Sequence, residues 1–242
     1  MEPYLRDASN RKTMSCGETR LGTKLAETPE AVKFGSHGMT TRKERGAMMV
    51  LGIYGSPRKG GNTDLMLDAF LEGASETVKA IERIYVRDLD IHGCVACGHC
   101  DKKGRCIQKD DMNLVYPLMD RASHIVVASP VYFYGVTGQL KLLIDRSQAC
   151  FMRRELEKKQ GRDPGEGTSG SGYLLAAGAT RGKRLFECTV LSVRYFFDAL
   201  NFNYVGDLCL RELDEKGAIL LQPLALDDCR RAGREFVLPP AA

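Results

Sequence analysis

Four cysteines, Cys94, Cys97, Cys100 and Cys106, lie within thirteen residues of the chain. Their spacing, C-x2-C-x2-C-x5-C, constrains the local fold strongly, because thiolates at two-residue gaps on one loop can reach neighbouring iron corners of a cubane. In the two-cluster ferredoxin pattern the last cysteine precedes proline and serves another cluster. Here Ile107 follows, and no second set exists. One iron–sulfur cubane held by all four cysteines is the simplest interpretation.

Other interpretations of these cysteines stay open. Zinc usually takes two separated C-x2-C pairs, and three evenly spaced cysteines suit a tetrahedral site poorly. A disulfide set belongs to exported proteins, and nothing in the sequence indicates export. Reduced cysteines without a cofactor would leave the regular spacing without a reason. Elsewhere, Cys188 lies in an apolar helical run, and we expect it to be a small core residue.

Size and composition set the broad class of protein. The chain has 242 residues, 43% of them hydrophobic, which is enough for one sizeable core. No apolar stretch reaches the roughly eighteen residues of a membrane helix, and no apolar signal-peptide region opens the chain. The net charge of +4 is spread among interspersed acids and bases, without a basic stripe. We expect a cytoplasmic protein that binds neither membrane nor nucleic acid.

Residues 1–46 differ in character from the remainder. They are polar and show neither a helical nor a strand period, which predicts a poorly ordered N-terminal extension. An alternative is that the true start lies at Met48 or Met49. The acidic residues in this stretch argue against a mitochondrial transit peptide.

Strands and helices alternate through residues 47–242, which we expect to form one domain. We predict strands at 48–54, 81–86, 125–129, 173–177 and 204–210, and helices at 63–74, 110–121, 138–150, 186–200 and 224–236. This alternation predicts an α/β fold with a doubly wound, five-stranded parallel sheet. Such sheets bind ligands at the carboxyl ends of their strands. The functional loops should follow the first, third and fourth strands, and a mobile loop should span 161–172.

The loop after the first strand, residues 55–63, has the composition of an anion cradle. Small residues let backbone N–H groups approach an anion, and the helix that follows adds its positive end. Ser56, Asn62 and Thr63 bring side-chain donors, and Arg58 brings charge. The loop matches neither the nucleotide-hydrolysing P-loop nor the G-x-G-x-x-G fingerprint. A plain glycine-rich turn is the alternative interpretation.

The loop after the third strand, residues 129–141, is rich in aromatic residues. Tyr132, Phe133 and Tyr134 follow Pro130 and precede Gly135. Aromatic side chains supply stacking area, and backbone groups supply partners for the polar edge of a planar heteroaromatic ring. Core packing explains such a loop equally well when it is taken alone.

Together these loops and the segment Leu140-Lys141…Asp145-Arg146 resemble the flavodoxin-like fold in its NAD(P)H-dependent FMN reductase branch. With the cysteine loop at 93–107 added, the chain is similar to the iron–sulfur flavoprotein family over about residues 48–237. The resemblance implies FMN-phosphate contacts from Ser56, Arg58, Asn62 and Thr63, isoalloxazine contacts from Pro130, Val131, Tyr132 and Phe133, and a [4Fe–4S] cluster on Cys94, Cys97, Cys100 and Cys106. Residues 177–182 would close the other side of the flavin.

The resemblance also implies a function. It predicts a redox flavoprotein, an oxidoreductase that passes electrons between NAD(P)H or ferredoxin and an acceptor. It implies a homodimer or homotetramer, with ferredoxin or another redox protein as partner. We assign no catalytic residue, and we expect Asp145 and Arg146 to form a structural ion pair. A cluster-free NAD(P)H-dependent FMN or quinone reductase and a zinc or thiol redox-sensing binding protein are the alternatives.

Overall fold

The computed structural model describes residues 48–162 and 170–238, which contain five strands and seven α-helices. The strands are β1 (Met49–Tyr54), β2 (Ala80–Tyr85), β3 (His124–Pro130), β4 (Gly170–Ala177) and β5 (Phe202–Leu210). The helices are α1 (Asn62–Ser75), α2 (His99–Lys103), α3 (Met112–Arg121), α4 (Gly138–Arg146), α5 (Gln148–Lys159), α6 (Glu187–Leu200) and α7 (Ala225–Phe236). The predicted extension at 1–46 and most of the predicted loop at 161–172 lie outside these ranges. Within them, none of the helices has the length and apolar character to cross a bilayer.

The five strands form one parallel sheet in the order β2-β1-β3-β4-β5. This is the flavodoxin-like order, so the predicted fold is confirmed. Every residue of β1 is buried, as its unbroken apolar run requires in a strand covered on both faces. β2 carries charged residues because it lies at the edge of the sheet, as predicted.

Helices cover both faces of the sheet. Helices α1 and α7 pack on one face, where Phe70 and Phe236 contribute to the core. Helices α3, α4 and α6 pack on the other face, with Phe196 and Phe197 in that core. Successive residues of β1 alternate between the two clusters, because side chains of a strand point to opposite faces.

Two predictions about helices are wrong. The predicted helix at 138–150 is interrupted at Ser147, where α4 gives way to α5, and α5 continues to Lys159. The Ser147 hydroxyl donates to the Leu143 carbonyl at 3.1 Å, a bond within the turn that often accompanies a bend. Cys188 is exposed on the first turn of α6 and does not belong to the core.

The carboxyl ends of the central strands are level with one another. Tyr54 at the end of β1 pairs with Tyr85 of β2 and Ala128 of β3, and Pro130 at the end of β3 pairs with Ala177 of β4. The loops after β1, β3 and β4 therefore emerge along one edge of the sheet, where ligands bind in this fold class.

Candidate functional site

A buried threonine joins the loops after β1 and β3. The Thr137 hydroxyl donates to the Gly55 carbonyl at 2.6 Å and accepts from the Leu140 N–H at 3.3 Å, which caps α4. Gly55 has no room for a side chain, because a Cβ there would lie 2.7 Å from Leu140 Cδ2 and 2.8 Å from the Ala128 carbonyl. The two predicted cofactor loops thus share a close-packed base.

The candidate phosphate loop ends at the N-terminus of α1. The helix begins after Gly61, which supplies no side-chain cap, so the N–H groups of the first turn lack intrahelical acceptors and carry the positive end of the helix. The hydroxyl oxygen of Ser56 is buried in the loop and accepts from the Arg58 N–H at 3.1 Å. Thr63 is buried in the first turn, and Arg58 is exposed. This arrangement suits an anion.

Asn62 has a structural task that the sequence did not indicate. Its side-chain amide donates to the carbonyls of Glu215 at 2.9 Å and Leu213 at 3.4 Å, and its oxygen accepts from the Ile219 N–H at 3.3 Å. The side chain therefore fastens the segment after β5 to the start of α1. The predicted contact of Asn62 with phosphate stays a prediction. Because the side chain is engaged, the group that would make this contact is the backbone N–H of Asn62.

Sequence reasoning missed two charged residues beside this loop. Asp64 accepts from the Gly60 N–H at 2.9 Å and forms an ion pair of 3.0 Å with Arg87. Arg87 also donates to the Ser56 carbonyl at 3.1 Å. Burial raises the pKa of Asp64, against the lowering effect of the Gly60 N–H and Arg87. An acid in the first turn of a helix is a recognisable capping signal, whereas no local pattern pointed to Arg87.

The aromatic loop after β3 contains a tight turn. Tyr132 and Gly135 exchange two backbone hydrogen bonds of 2.9 Å, and Phe133 and Tyr134 between them have φ values of 48° and 65°. Left-handed backbone at non-glycine residues costs on the order of 1–3 kcal/mol each and is concentrated at functional sites. Thr189 holds the turn by donating to the Tyr134 carbonyl at 3.3 Å. Strain and aromatic exposure thus coincide at this edge of the sheet.

The four residues predicted to contact the flavin ring differ in whether their backbone N–H is free to donate to a ligand. The Val131 N–H donates to the Ala177 carbonyl at 2.8 Å, the Tyr132 N–H is used in the turn, and Pro130 has no N–H. Among the residues described here, Phe133 is the one of these four with an unused N–H, and its side chain is fully exposed. The predicted facing loop at 177–182 approaches this turn, since a Cβ at Gly182 would lie 3.4 Å from the Tyr134 hydroxyl.

The cysteine loop is closed at its base. Asp90 donates its N–H to the Asp111 carboxylate at 2.8 Å, and the Asp111 N–H returns to the Asp90 carbonyl at 3.1 Å. Nearer the cysteines, the Gln108 side chain donates to the Gly93 carbonyl at 3.0 Å. All four cysteines lie between Gly93 and Gln108, so one fixed base carries the whole predicted ligand set.

The four cysteines are free, with Cys94 and Cys97 exposed and Cys100 and Cys106 half-buried. In the described ranges, no three side chains of His, Cys, Asp or Glu are grouped as a preformed metal site. The donor chemistry nevertheless fits an iron–sulfur cluster, because four unpaired thiols share one loop. Burial, reinforced by Asp101, raises the pKa of the Cys100 thiol, so ligation there would require removal of its proton.

The cysteine loop combines left-handed backbone turns with exposed positive charge. The loop turns through left-handed residues at Ala96, Gly98 and Gly104, with φ values of 51°, 68° and 64°. The second half of the loop and the residues just after it carry four exposed cations: Lys102, Lys103, Arg105 and Lys109. None of these four has an ion-pair partner among the described residues. Positive charge therefore lies near the four thiols, which would become negative only as ligands of a cluster.

The predicted ion pair between Asp145 and Arg146 is wrong. Asp145 pairs with Lys141 one helical turn earlier, on the surface, and Arg146 pairs with the buried Asp110 at the base of the cysteine loop. Adjacent helix residues point about 100° apart, so they do not face each other. The pair that forms instead attaches the cysteine loop to α4.

Comparisons with known proteins match this architecture. The family model for NADPH-dependent FMN reductase matches residues 48–207. An iron–sulfur flavoprotein of Methanocaldococcus jannaschii is 34% identical over 66% of this chain and 77% of its own length. An iron–sulfur flavoprotein of Archaeoglobus fulgidus is 40% identical over 47% of this chain, and the match spans 52% of its own length. The chain thus spans only about half of some of the relatives that it matches.

Solved structures share the fold at low identity. An NAD(P)H:quinone oxidoreductase from Methanothermobacter marburgensis superimposes with a TM-score of 0.62 at 16% identity, covering 81% of this chain and 99% of that protein. A flavone reductase gives a TM-score of 0.57 at 19% identity, covering 78% of this chain and 62% of that protein. Likeness at this level concerns the fold alone.

Proposed function

The chain belongs to the NADPH-dependent FMN reductase family and, within it, to the iron–sulfur flavoproteins, and from this premise we propose that it is an oxidoreductase with FMN and one [4Fe–4S] cluster. The observation that carries the proposal is the placement of all four regularly spaced cysteines on one loop with a closed base. The cysteine loop follows β2 in the chain, and the carboxyl edge of the same sheet carries the candidate phosphate loop and the aromatic turn.

FMN binds at this edge in our proposal. The N–H groups of the first turn of α1 hold the phosphate together with Ser56, Thr63 and Arg58. The aromatic turn and Pro130 contact the isoalloxazine ring, and the Phe133 N–H donates to its polar edge. The exposure of Phe133 supports this assignment, because an uncovered aromatic side chain gains from stacking on a flat apolar surface.

The cluster binds to Cys94, Cys97, Cys100 and Cys106. FMN exchanges electrons in pairs or singly and a [4Fe–4S] cluster exchanges them one at a time, so the two groups together convert between these modes. The protein's own residues bind and orient both groups and set the surrounding charge. The exposed cations at 102–109 offset the negative charge of the four thiolates. No side chain is needed as an acid or base.

The electron donor in this proposal is NAD(P)H or ferredoxin, and a redox protein or small molecule accepts the electrons. We also propose a homodimer or homotetramer in the cytoplasm. A reducing compartment suits the free cysteines, which are not paired in disulfides. The assignments of donor and assembly rest on the family resemblance.

Anoxic purification of the full chain tests the proposal. We expect flavin bands with a broad cluster shoulder in the visible spectrum, FMN on extraction, and about four iron and four acid-labile sulfides per chain. Flavin without sulfide would indicate the cluster-free FMN or quinone reductase. Colourless protein containing zinc would indicate the thiol-based binding protein. Reduction by NADH, NADPH and reduced ferredoxin, each measured anaerobically, then identifies the donor.

A further inference from the structure

Arg87 lies directly after β2 and reaches the loop that precedes α1. We infer that Arg87 is a positioning residue for the flavin phosphate: by pairing with Asp64, it removes an unfavourable negative charge from the phosphate site and so gives the chain its preference for FMN over riboflavin. This inference rests on the FMN site proposed above. It adds a residue that neither the loop motif nor the family match assigns.

The position of Arg87 is fixed by packing at the ends of two strands. Its guanidinium carbon lies 4.7 Å from the centre of the Tyr85 ring, which is a cation–π contact. The Tyr85 ring in turn stacks on Tyr54, the last residue of β1, with ring centres 4.3 Å apart. Arg87 is therefore held against the point where the phosphate loop leaves β1.

Arg87 contacts both a charged side chain and a backbone carbonyl. One nitrogen, Nη1, lies 3.0 Å from one Asp64 carboxylate oxygen and 3.3 Å from the other. The same nitrogen donates to the Ser56 carbonyl at 3.1 Å, inside the loop. Asp64 in turn accepts from the Gly60 N–H at 2.9 Å. The ion pair thus fixes the loop at Ser56 and Gly60, on both sides of its tip.

Charge gives this pair a role beyond fixing the loop. Asp64 lies in the first turn of α1, and its side chain is only 5% exposed. An uncompensated carboxylate there would oppose an anion at the positive end of the helix, and repulsion between like charges is strong where water is excluded. Arg87 cancels this charge, which leaves the helix N-terminus attractive to a phosphate dianion.

Hydrogen bonding within the pair is incomplete. The side chain of Arg87 is only 10% exposed, and its Nε atom is buried. Among the described residues, this Nε has no hydrogen-bond partner. The buried guanidinium is therefore only partly satisfied by the Asp64 carboxylate and the Ser56 carbonyl.

Binding of two flavins that differ in the phosphate tests the inference. The full chain, freed of flavin, is titrated with FMN and with riboflavin, and affinity is read from flavin fluorescence. Arg87→Met should weaken FMN binding by about tenfold or more, which corresponds to about 1.4 kcal/mol, and riboflavin binding should change by less than about threefold. The control Lys79→Met removes an exposed cation that immediately precedes β2 and should leave both affinities unchanged.

A second substitution separates charge from structure. Asp64→Asn keeps an acceptor for the Gly60 N–H but removes the negative charge, so Arg87→Met/Asp64→Asn should recover most of the lost FMN affinity. Asp64→Asn alone should increase the ratio of FMN to riboflavin affinity, which provides a test even where Arg87→Met does not fold. Equal losses for both flavins, or an unchanged ratio in Asp64→Asn, would overturn the inference. Wild-type protein that binds neither flavin would instead refute the proposed function.

Discussion

Arg146, the last residue of α4, forms a buried ion pair with Asp110, and the two side chains are 1% and 0% exposed. The second guanidinium nitrogen donates to Asp110 at 3.1 Å, and the first also reaches the His92 carbonyl at 2.8 Å. His92 and Asp110 lie at the base of the cysteine loop, and α4 starts beside Thr137, which joins the two candidate flavin loops. One nine-residue helix therefore connects the two proposed cofactor sites.

Arg146→Met should destabilise the fold by about 3–5 kcal/mol, because it leaves a carboxylate buried without its partner. Burial alone would raise the pKa of Asp110, but hydrogen bonds from Arg146 and the His92 N–H hold that pKa below its ordinary value. The free energy of unfolding in urea near neutral pH measures the loss. Asp110→Asn combined with Arg146→Met should cost less than the sum of the single changes.

Lys141→Met is the matched control for this pair. Lys141 also pairs with an acid, Asp145, but the two side chains are 50% and 44% exposed. An exposed pair of this kind contributes less than about 1 kcal/mol. Equal losses for Lys141→Met and Arg146→Met would contradict the structural difference between the two pairs.

Apolar runs and local spacing allowed much of the fold to be predicted. A strand buried on both faces, such as β1, must be apolar throughout, and each run of this type lies within two or three residues of its predicted bounds. The cysteine loop was also visible, because its spacing is local. These features depend on neighbours in sequence, which a single chain reveals directly.

Contacts between distant residues could not be predicted in the same way. Arg87 meets Asp64 across 23 positions, and Arg146 meets Asp110 across 36. Charged residues carry no period that identifies such partners, so the sequence favours the neighbour Asp145 as the partner of Arg146. The amide of Asn62 likewise looks like a phosphate donor in the sequence, although it binds carbonyls more than 150 positions away.

His124 should make the stability of the protein depend on pH. Burial lowers the pKa of this side chain, which lies edge-on to Phe236 with ring centres 5.0 Å apart. The unfolded chain then binds a proton more readily than the folded one, so stability is complete above the unfolded pKa of about 6.5 and declines as the pH falls below it. Between about pH 7.5 and about pH 5.5, His124→Asn should lose less unfolding free energy than the wild type. Identical losses in both proteins would assign the pH dependence to other groups.

Gly233→Ala should disrupt the packing of α7 on α1. A Cβ at Gly233 would lie 1.9 Å from the Phe70 carbonyl oxygen, and one at Gly73 on the opposite helix would lie 2.0 Å from the Arg230 carbonyl. The helices must separate to admit the methyl group, at a cost of about 1–3 kcal/mol or more. Gly138→Ala is the control, since no atom beyond its chain neighbours and its own helix backbone lies within 4 Å of the added Cβ. Thermal unfolding should show a lower midpoint for Gly233→Ala only, and a midpoint equal to the wild type would contradict this helix contact.

Cys97→Ala should remove the cluster and leave FMN in place. Cys97 lies in the loop between Gly93 and Gln108, whereas the candidate phosphate loop is held by separate contacts at Thr137 and Arg87. After anoxic purification, we expect the variant to lose most of its iron and sulfide while its FMN content per chain matches the wild type. Cys188→Ala, which changes an exposed cysteine on α6, should retain both cofactors. Loss of FMN together with iron in Cys97→Ala would show that the two sites depend on each other, in which case the cysteine loop would be part of the flavin site.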